Sequence, residues 1–120
     1  SPTSLTMTLK FYGKDVNLDR VTRGTLDSGN EAYGNWPQNA AFAGEQGMRA
    51  YTKKCKSINP VKNFISKGIP VVVGFVIKDG IEYIVVNDPA ANSDAEVRKY
   101  YKLNQWVNVW RHYIYAVTKQ

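Results

Sequence analysis

The sequence predicts an α+β fold, with helices in the first half of the chain and mostly antiparallel strands in the second. Apolar residues recur at helical spacing near the start, at Leu5, Leu9 and Tyr12. The second half contains β-branched runs at 71–77 and 81–86. Lys-Asp-Gly separates these two runs and is a hairpin signal. The change of periodicity, from helical to strand-like, is the basis of the prediction.

The first three helices have recognisable starts. Pro2 suits the first turn of a helix, and Asn17 and Asn35 are suitable side-chain caps for the second and third helices. The stretch 24–34 is polar and contains glycine, so we expect a loop there. We expect the third helix to pack closely through a face of small residues, Ala40, Ala41 and Gly44.

Glycine and proline mark most of the remaining boundaries. Gly13 and Gly47 are expected to end the first and third helices, and a fourth helix should run from Asn59 to a stop at Gly68. A short fifth helix is expected over 105–110. The expected strands are 48–51, 71–77, 81–86, 97–103 and 113–117.

The composition indicates one folded domain spanning residues 1–120. A chain of 120 residues can bury a single core. Its hydrophobic fraction of 43% and its three tryptophans argue against a disordered chain. The longest apolar run, 69–77, is interrupted by Pro70 and Gly74 and is far shorter than the roughly 20 residues of a membrane span. We therefore expect no membrane span in this chain.

The formal net charge of +6 raises the question of nucleic-acid binding. Basic residues stand beside Tyr100 and Tyr101, a combination that single-strand binders use. However, acidic residues are scattered throughout the chain, and neither a glycine-rich motif nor a recognition helix accompanies the positive charge. A solvated basic surface is the simpler interpretation, and we expect no nucleic-acid partner.

Two residues could in principle provide thiol chemistry. Cys55 has lysines on both sides, which would favour its thiolate, but it lies in a polar stretch and only His112 could serve it as a base. We interpret Cys55 as a structural or surface thiol and His112 as a packing residue, and we expect the two residues to lie far from each other. One cysteine and one histidine cannot form a zinc site, and no cofactor-binding motif is present, so we expect neither a metal nor a cofactor.

Asp88 is the strongest candidate for a site residue. It ends a hydrophobic strand and is followed by Pro89, so its carboxylate could orient an imidazole on a neighbouring strand. Asp-Pro is also common in turns. The residues alone leave both interpretations open.

Three segments resemble the papain-like cysteine peptidases of the bacteriocin-processing, or double-glycine, peptidase family, in its looser bacterial branch. They are Ser-Pro-Thr-Ser-Leu-Thr-Met at 1–7, Gly-Asn-Trp-Pro-Gln-Asn-Ala-Ala-Phe-Ala at 34–43, and Val-Asn-Asp-Pro-Ala-Ala at 86–91. The last is followed, as in those relatives, by Val-Arg-Lys-Tyr-Tyr at 97–101. The resemblance covers nearly the whole chain in the family's order. It implies a papain-like α+β fold with the first helix packed on an antiparallel sheet.

The resemblance also implies a mechanism. In these relatives a cysteine stands immediately before the Ser-Pro-Thr-Ser run, where the start of the helix favours a thiolate and can stabilise an oxyanion. A histidine on a strand acts as base and then as acid, and the aspartate of Asn-Asp-Pro-Ala orients it. The matching aspartate here is Asp88, and the implied partner is a peptide or protein substrate.

The sequence departs from the family pattern in two places. The position of the nucleophile precedes Ser1, and the stretch 68–75 contains no histidine where relatives carry a Gly-His pair. That stretch resembles two family strands joined together, so either the protein has lost a loop or residues are missing around Val71 to Val73. We favour the second explanation, and we expect the nucleophile, the base and the orienting carboxylate to be present together only in a longer parent protein. A peptidase-derived module that binds peptides without cutting them is the alternative.

Because bacterial relatives are often exported, we expect an extracytoplasmic location.

Overall fold

A computed structural model describes residues 2–33, 35–75, 83–87 and 92–120 of the chain. Helices and strands follow the order that the sequence predicts. The helices are α1 (Pro2–Phe11), α2 (Leu18–Thr25), α3 (Trp36–Glu45), α4 (Asn59–Ser66) and α5 (Leu103–Val109). The strands are β1 (Met48–Lys54), β2 (Val71–Phe75), β3 (Tyr83–Asn87), β4 (Arg98–Lys102) and β5 (Trp110–Lys119).

The predicted starts of α2 and α3 and the predicted ends of α1, α3 and α4 are confirmed by the backbone and capping geometry. The side chain of Asn17 accepts a hydrogen bond from the backbone of Arg20, and the side chain of Asn35 accepts one from the backbone of Gln38. Three glycines follow the ends of α1, α3 and α4 with φ between +70° and +79°, a backbone conformation that side chains disfavour. They are Gly13, Gly47 and Gly68.

The strands form two antiparallel sheets. A three-stranded sheet has the order β1-β5-β2, and a two-stranded sheet pairs β3 with β4. The strand that closes the chain is therefore the central strand of the larger sheet. The predicted hairpin turn between β2 and β3 lies outside the described residues.

The three-stranded sheet separates two hydrophobic clusters. On one face, Leu5 and Leu9 of α1 pack with Tyr115 and Val117 of β5. On the other face, Ile114 packs with residues of the opposite layer, including Val61 of α4. Because neighbouring residues of a strand point to opposite faces, β5 contributes to both clusters, and its residues 114–117 are all buried. Helix α1 thus packs on an antiparallel sheet, as the sequence predicts.

Two local expectations are wrong. Helix α2 extends to Thr25, so the loop predicted for 24–34 begins later. Helix α3 buries Asn39, Phe42 and Ala43, whereas Ala41 and Gly44 of the predicted small face are exposed. The packing partner of α3 includes strand β1, which begins three residues after the helix ends and so fixes the helix face that turns inward.

Strand β2 is regular where the sequence resembles two joined strands. Val71, Val72 and Val73 pair consecutively with Ala116, Tyr115 and Ile114. The register shifts only further along, between Val73 and Phe75. The additional residues expected here in a longer parent protein stay a prediction.

Candidate functional site

The start of α1 is the position at which the family places its nucleophile. No acidic residue lies in the first turn of α1, and Lys10 lies in its last turn. The hydroxyl of Thr6 donates a hydrogen bond of 2.8 Å to the carbonyl oxygen of Pro2, which holds the first turn in place. The positive end of the helix dipole is therefore not offset by a carboxylate of the same turn. Such a helix start favours an anionic group placed directly before it.

Asn35 of the Gly-Asn-Trp-Pro motif is held by the carboxylate of Asp27, a residue that none of the sequence motifs includes. The carboxylate of Asp27 accepts hydrogen bonds of 2.9 Å from the side-chain amides of Asn30 and Asn35. The backbone N–H groups of Gly29 and Asn30 also donate to it. These hydrogen bonds lower the pKa of Asp27. The bond from the Asn30 side chain has the largest effect, and the bond from the Asn35 side chain has the next largest. Asp27 in turn orients Asn35, the cap of α3.

Asp27 could have been recognised from the sequence as the first residue of Asp-Ser-Gly-Asn, because aspartate before glycine often bonds the backbone two residues on. What no local pattern predicts is the bond to Asn35. That contact depends on the closed loop, in which the backbone groups of Asp27 and Ala32 exchange hydrogen bonds of 2.8 and 3.1 Å.

Trp36 connects this loop to the central strand. Its ring meets the rings of Tyr113 and Tyr115 edge to face, with centroid distances of 6.1 and 5.6 Å. Aromatic pairs at these distances contribute about 0.5–1.5 kcal/mol beyond the area they bury. The neighbouring residues Asn35 and Trp36 are therefore both held in place, Asn35 as the cap of α3 and Trp36 by its packing on β5.

Cys55 and His112 lie next to each other, so the expectation that they lie far apart is wrong. The backbone N–H of Cys55 donates a hydrogen bond of 2.6 Å to the carbonyl oxygen of His112. The two residues continue the β1–β5 register, in which Lys54 stands opposite Tyr113. Sequence reasoning missed the contact because 57 positions separate the two residues and only strand pairing joins them.

The Cys55–His112 neighbourhood does not form a thiol–imidazole pair. Cys55 is 2% exposed, within the hydrophobic cluster on the sheet face opposite α1. Burial raises the pKa of the Cys55 thiol, and the nearby positive charge of Lys53 offsets part of that rise. Among the hydrogen bonds of the described residues, none joins the thiol to the imidazole, whose ring instead stacks on Trp110 at 5.0 Å between centroids. A buried thiol with a raised pKa is a poor nucleophile, which agrees with the structural interpretation of Cys55.

Asp88 lies outside the described residues, so its role as the orienting carboxylate stays a prediction. The described strand β3 ends at Asn87, whose pairing partner is Arg98 of β4.

Within the described ranges, no group of three or more histidine, cysteine, aspartate or glutamate side chains could hold a metal ion. The same ranges contain no helix with the length and apolar character needed to cross a membrane.

A groove of about 520 Å³ lies at the other end of α1. Because α1 has 10 residues, the groove is roughly 15 Å from the helix start. It is therefore separate from the predicted catalytic position. Its lining combines aromatic, aliphatic and basic residues: Phe11, Tyr12, Lys67, Gly68, Ile69, Thr118 and Lys119.

Comparisons with known proteins agree with this architecture. The fold is similar to a solved structure described as a double glycine motif protease from an AMS/PCAT transporter in complex with the leader peptide. The TM-score is 0.74 at 18% sequence identity, and the match covers 99% of this chain and 84% of the other. This likeness confirms the papain-like α+β fold. No curated protein matches the chain.

The sequence profile of the Peptidase_C39-like family matches residues 1–117, which is nearly the whole chain. The match includes the three motif segments and the strands that follow them. It supports a cysteine-peptidase-like domain related to the bacteriocin-processing enzymes. The chain therefore belongs to the Peptidase_C39-like family.

Proposed function

We propose that this domain hydrolyses peptide bonds in the complete parent protein, through a cysteine that directly precedes Ser1. The observation that carries the proposal is the start of α1, where the first turn has no acidic residue to offset the helix dipole. A thiolate in front of that turn would be stabilised by the dipole and by the free backbone N–H groups. The same N–H groups are suitably placed to stabilise a developing oxyanion.

Asp88 is proposed to orient the catalytic histidine. This assignment rests on the Asn-Asp-Pro-Ala motif directly after β3. The histidine would act as a base towards the thiol and then as an acid towards the leaving amine. His112 is a poor candidate for this role, because its ring stacks on Trp110 in the layer opposite α1. The base is therefore proposed to come from a segment of the parent protein that precedes Asp88.

The substrate is proposed to be a peptide or protein with an extended segment at the cleavage site. Support comes from the similar solved structure, which holds a leader peptide.

The proposed location of the parent protein is extracytoplasmic, in the cell envelope or secreted, on the analogy of exported relatives. Fractionation of cells that produce the parent protein, followed by immunoblotting, tests the location.

The test of hydrolysis compares the 120-residue chain with the parent protein on a panel of peptides. We expect the 120-residue chain to be inactive, because thiol-based acyl transfer needs a nucleophile, a base and an orienting group, and Asp88 is proposed to supply only the orienting group. The parent protein should cleave, and both thiol alkylation and replacement of its upstream cysteine by alanine should abolish cleavage. Cleavage by the 120-residue chain that Cys55→Ala removes would overturn the assignment.

An inert peptide-binding module is the second candidate. The absence of histidine from 68–75 favours it, because the base is then missing from its usual position in the family. The two candidates are separated by the sequence of the parent gene upstream of Ser1 and around Val72. A parent protein that binds peptides, carries no upstream cysteine and cleaves none of the panel supports the inert module.

A further inference from the structure

Strand β1 is the outer strand of the three-stranded sheet, and the phase of its pairing shows which backbone groups face outward. The N–H of Cys55 donates to the carbonyl oxygen of His112, directly opposite in the ladder. In an antiparallel pair, residues alternate between those that bond to the partner strand and those whose N–H and C=O groups point away. Lys53 and Tyr51 therefore bond to β5. The backbone groups of Ala50, Thr52 and Lys54 point away from the sheet.

In the part of the chain that the structure describes, this outer edge is open over its second half. The sheet order places β5 on one side of β1, and within the described residues no strand pairs with the other side. Thr52, Lys53 and Lys54 are exposed. Met48, at the other end of β1, is buried and its carbonyl oxygen accepts a long 3.5 Å contact from the side chain of Gln120. An additional strand could therefore reach the edge between residues 50 and 54.

The edge carries positive charge, and among the described residues no ion pair involves β1. The sequence between residues 46 and 78 contains no aspartate or glutamate. The ion pair described in the structure, Arg23 with Asp19, lies within α2 and does not involve β1. Four basic side chains are exposed along β1 and the turn after it: Arg49, Lys53, Lys54 and Lys56.

Two kinds of strand could pair with this edge, a second copy of β1 or an acidic segment, and the positive charge of the edge favours the acidic segment. Lysines on an edge strand prevent pairing with a second copy of the same strand, because like charges would meet. The same lysines attract an acidic strand, for which opposite charges across the pair are favourable. Recognition by strand addition obtains affinity from backbone hydrogen bonds and specificity from side chains.

We propose that the outer edge of β1 binds an extended acidic peptide segment as an additional strand. The backbone groups of Ala50, Thr52 and Lys54 would bond to the segment, and Lys53 and Lys54 would contact its carboxylates. The proposal does not depend on the proposed peptide hydrolysis. Because Lys53 and Lys54 are neighbours in β1 and point to opposite faces, the partner is a segment with carboxylates on both of its faces and no proline.

The test uses a fluorescein-labelled peptide of about eight residues, within the usual length of a strand, in which pairs of glutamates alternate with pairs of threonines. Its binding to the 120-residue chain is measured by fluorescence anisotropy at low salt. Two peptide controls keep the length: one replaces glutamate by lysine, and one keeps every charge but is N-methylated at alternate residues. We expect binding by the acidic peptide and no binding by the lysine peptide. N-methylation on the pairing edge should abolish binding.

The protein variants separate strand pairing from general attraction. The double variant Lys53→Glu with Lys54→Glu should weaken binding by about tenfold or more. Lys62→Glu with Lys67→Glu makes the same change in net charge on exposed residues outside β1 and should alter binding by less than about threefold. Circular dichroism of each variant establishes that it is folded.

Amide hydrogen exchange distinguishes pairing with the β1 edge from general electrostatic binding to a basic surface, because only strand pairing protects individual backbone amides. On addition of the acidic peptide, the amides of Thr52 and Lys54 should exchange more slowly, whereas those of Tyr51 and Lys53 are already bonded to β5 and should change little. Binding that tolerates N-methylation, or that leaves the amides of Thr52 and Lys54 unprotected, would overturn the proposal. So would a dimer, detected by sedimentation, that pairs through this edge.

Discussion

The hydroxyl of Tyr12 donates a hydrogen bond of 2.7 Å to the carbonyl oxygen of Val117, which is 105 residues further along the chain. The register of β2 on β5 explains why this carbonyl group needs a partner. Val71 stands opposite Ala116, so the next position places Pro70 opposite Val117. Proline has no N–H to donate. Tyr12, directly after α1, therefore satisfies a β5 carbonyl group that the neighbouring strand does not.

Tyr12→Phe should destabilise the fold. The change leaves a part-buried carbonyl oxygen without its donor, which costs about 1–3 kcal/mol in the free energy of unfolding. Urea unfolding followed by circular dichroism measures the loss. Tyr100→Phe removes the same hydroxyl group from a side chain that is 65% exposed and is the matched control. Equal stability of the Tyr12 variant and the wild-type protein would contradict a structural role for this bond.

Asp27→Asn should change how stability depends on acid. Hydrogen bonds from Asn30 and Asn35 lower the pKa of Asp27 in the folded chain. A lowered pKa means that Asp27 stabilises the fold above its unfolded value of about 3.9, and that this contribution is lost as pH falls through the lower folded value. The variant lacks the carboxylate, so its melting temperature should decline less than that of the wild-type protein between pH 5 and pH 2 (about the range in which aspartate titrates).

The control for Asp27 is Asp94→Asn. Asp94 is exposed and its side chain accepts no hydrogen bond among the described contacts. We expect its melting profile against pH to follow that of the wild-type protein. Parallel profiles for the Asp27 variant and the wild-type protein would show that the Asn35 cap does not depend on this carboxylate.

Two helical glycines should respond in opposite ways to alanine. A Cβ atom at Gly24 in α2 would overlap the ring of Phe42, so Gly24→Ala should destabilise by about 1–3 kcal/mol despite the better helix propensity of alanine. A Cβ atom at Gly44 in α3 meets nothing within 4 Å, so Gly44→Ala should stabilise by up to about 1 kcal/mol.

Denaturant midpoints of the two glycine variants test this packing directly. The double variant Gly24→Ala with Phe42→Leu should recover part of the loss, because the smaller side chain leaves room for the methyl group. A stabilising effect of alanine at both glycines would mean that α2 and α3 do not approach as closely as the structure shows.

Cys55 should resist thiol reagents in the folded chain. It is buried, and burial raises the pKa of its thiol, so little thiolate is available at neutral pH. Reaction with a disulfide reagent should be about a hundredfold or more slower than in the urea-unfolded chain. Cys55→Ser identifies the signal, because it removes the only thiol of the chain. Fast reaction of the folded protein would mean that Cys55 is accessible and would reopen its assignment as a structural thiol.

Much of the local structure could be predicted from the sequence, because capping is a short-range effect. Asn17 and Asn35 each bond a backbone N–H three residues on, and glycines with positive φ follow three helices. The family and the papain-like fold also followed from motif segments that are contiguous in sequence. The orienting role of Asp88 was inferred in the same way and stays a prediction.

Contacts between residues far apart in the chain could not be predicted from the sequence. Three features depend on which strand or loop lies next to which. They are the hydrogen bond from Asn35 to Asp27, the contact of Cys55 with His112, and the outer edge of β1, with which no described strand pairs. Helix α3 illustrates the limit, because its small residues suggested a packing face, yet Phe42 is buried and Gly44 is exposed. Without knowledge of the partner surface, residue size alone did not identify the buried side.

The sequence by itself determined the type and order of the helices and strands, the boundaries set by caps and glycines, and membership of the peptidase family. These features depend on interactions between residues a few positions apart or on contiguous motifs. Only the tertiary structure decided that β5 lies between β1 and β2, that Tyr12 completes the bonding of Val117, and that no described strand pairs with the outer edge of β1. The reason is that strand pairs join residues separated by tens of positions, and the free energy of each pairing depends on the whole core that it closes.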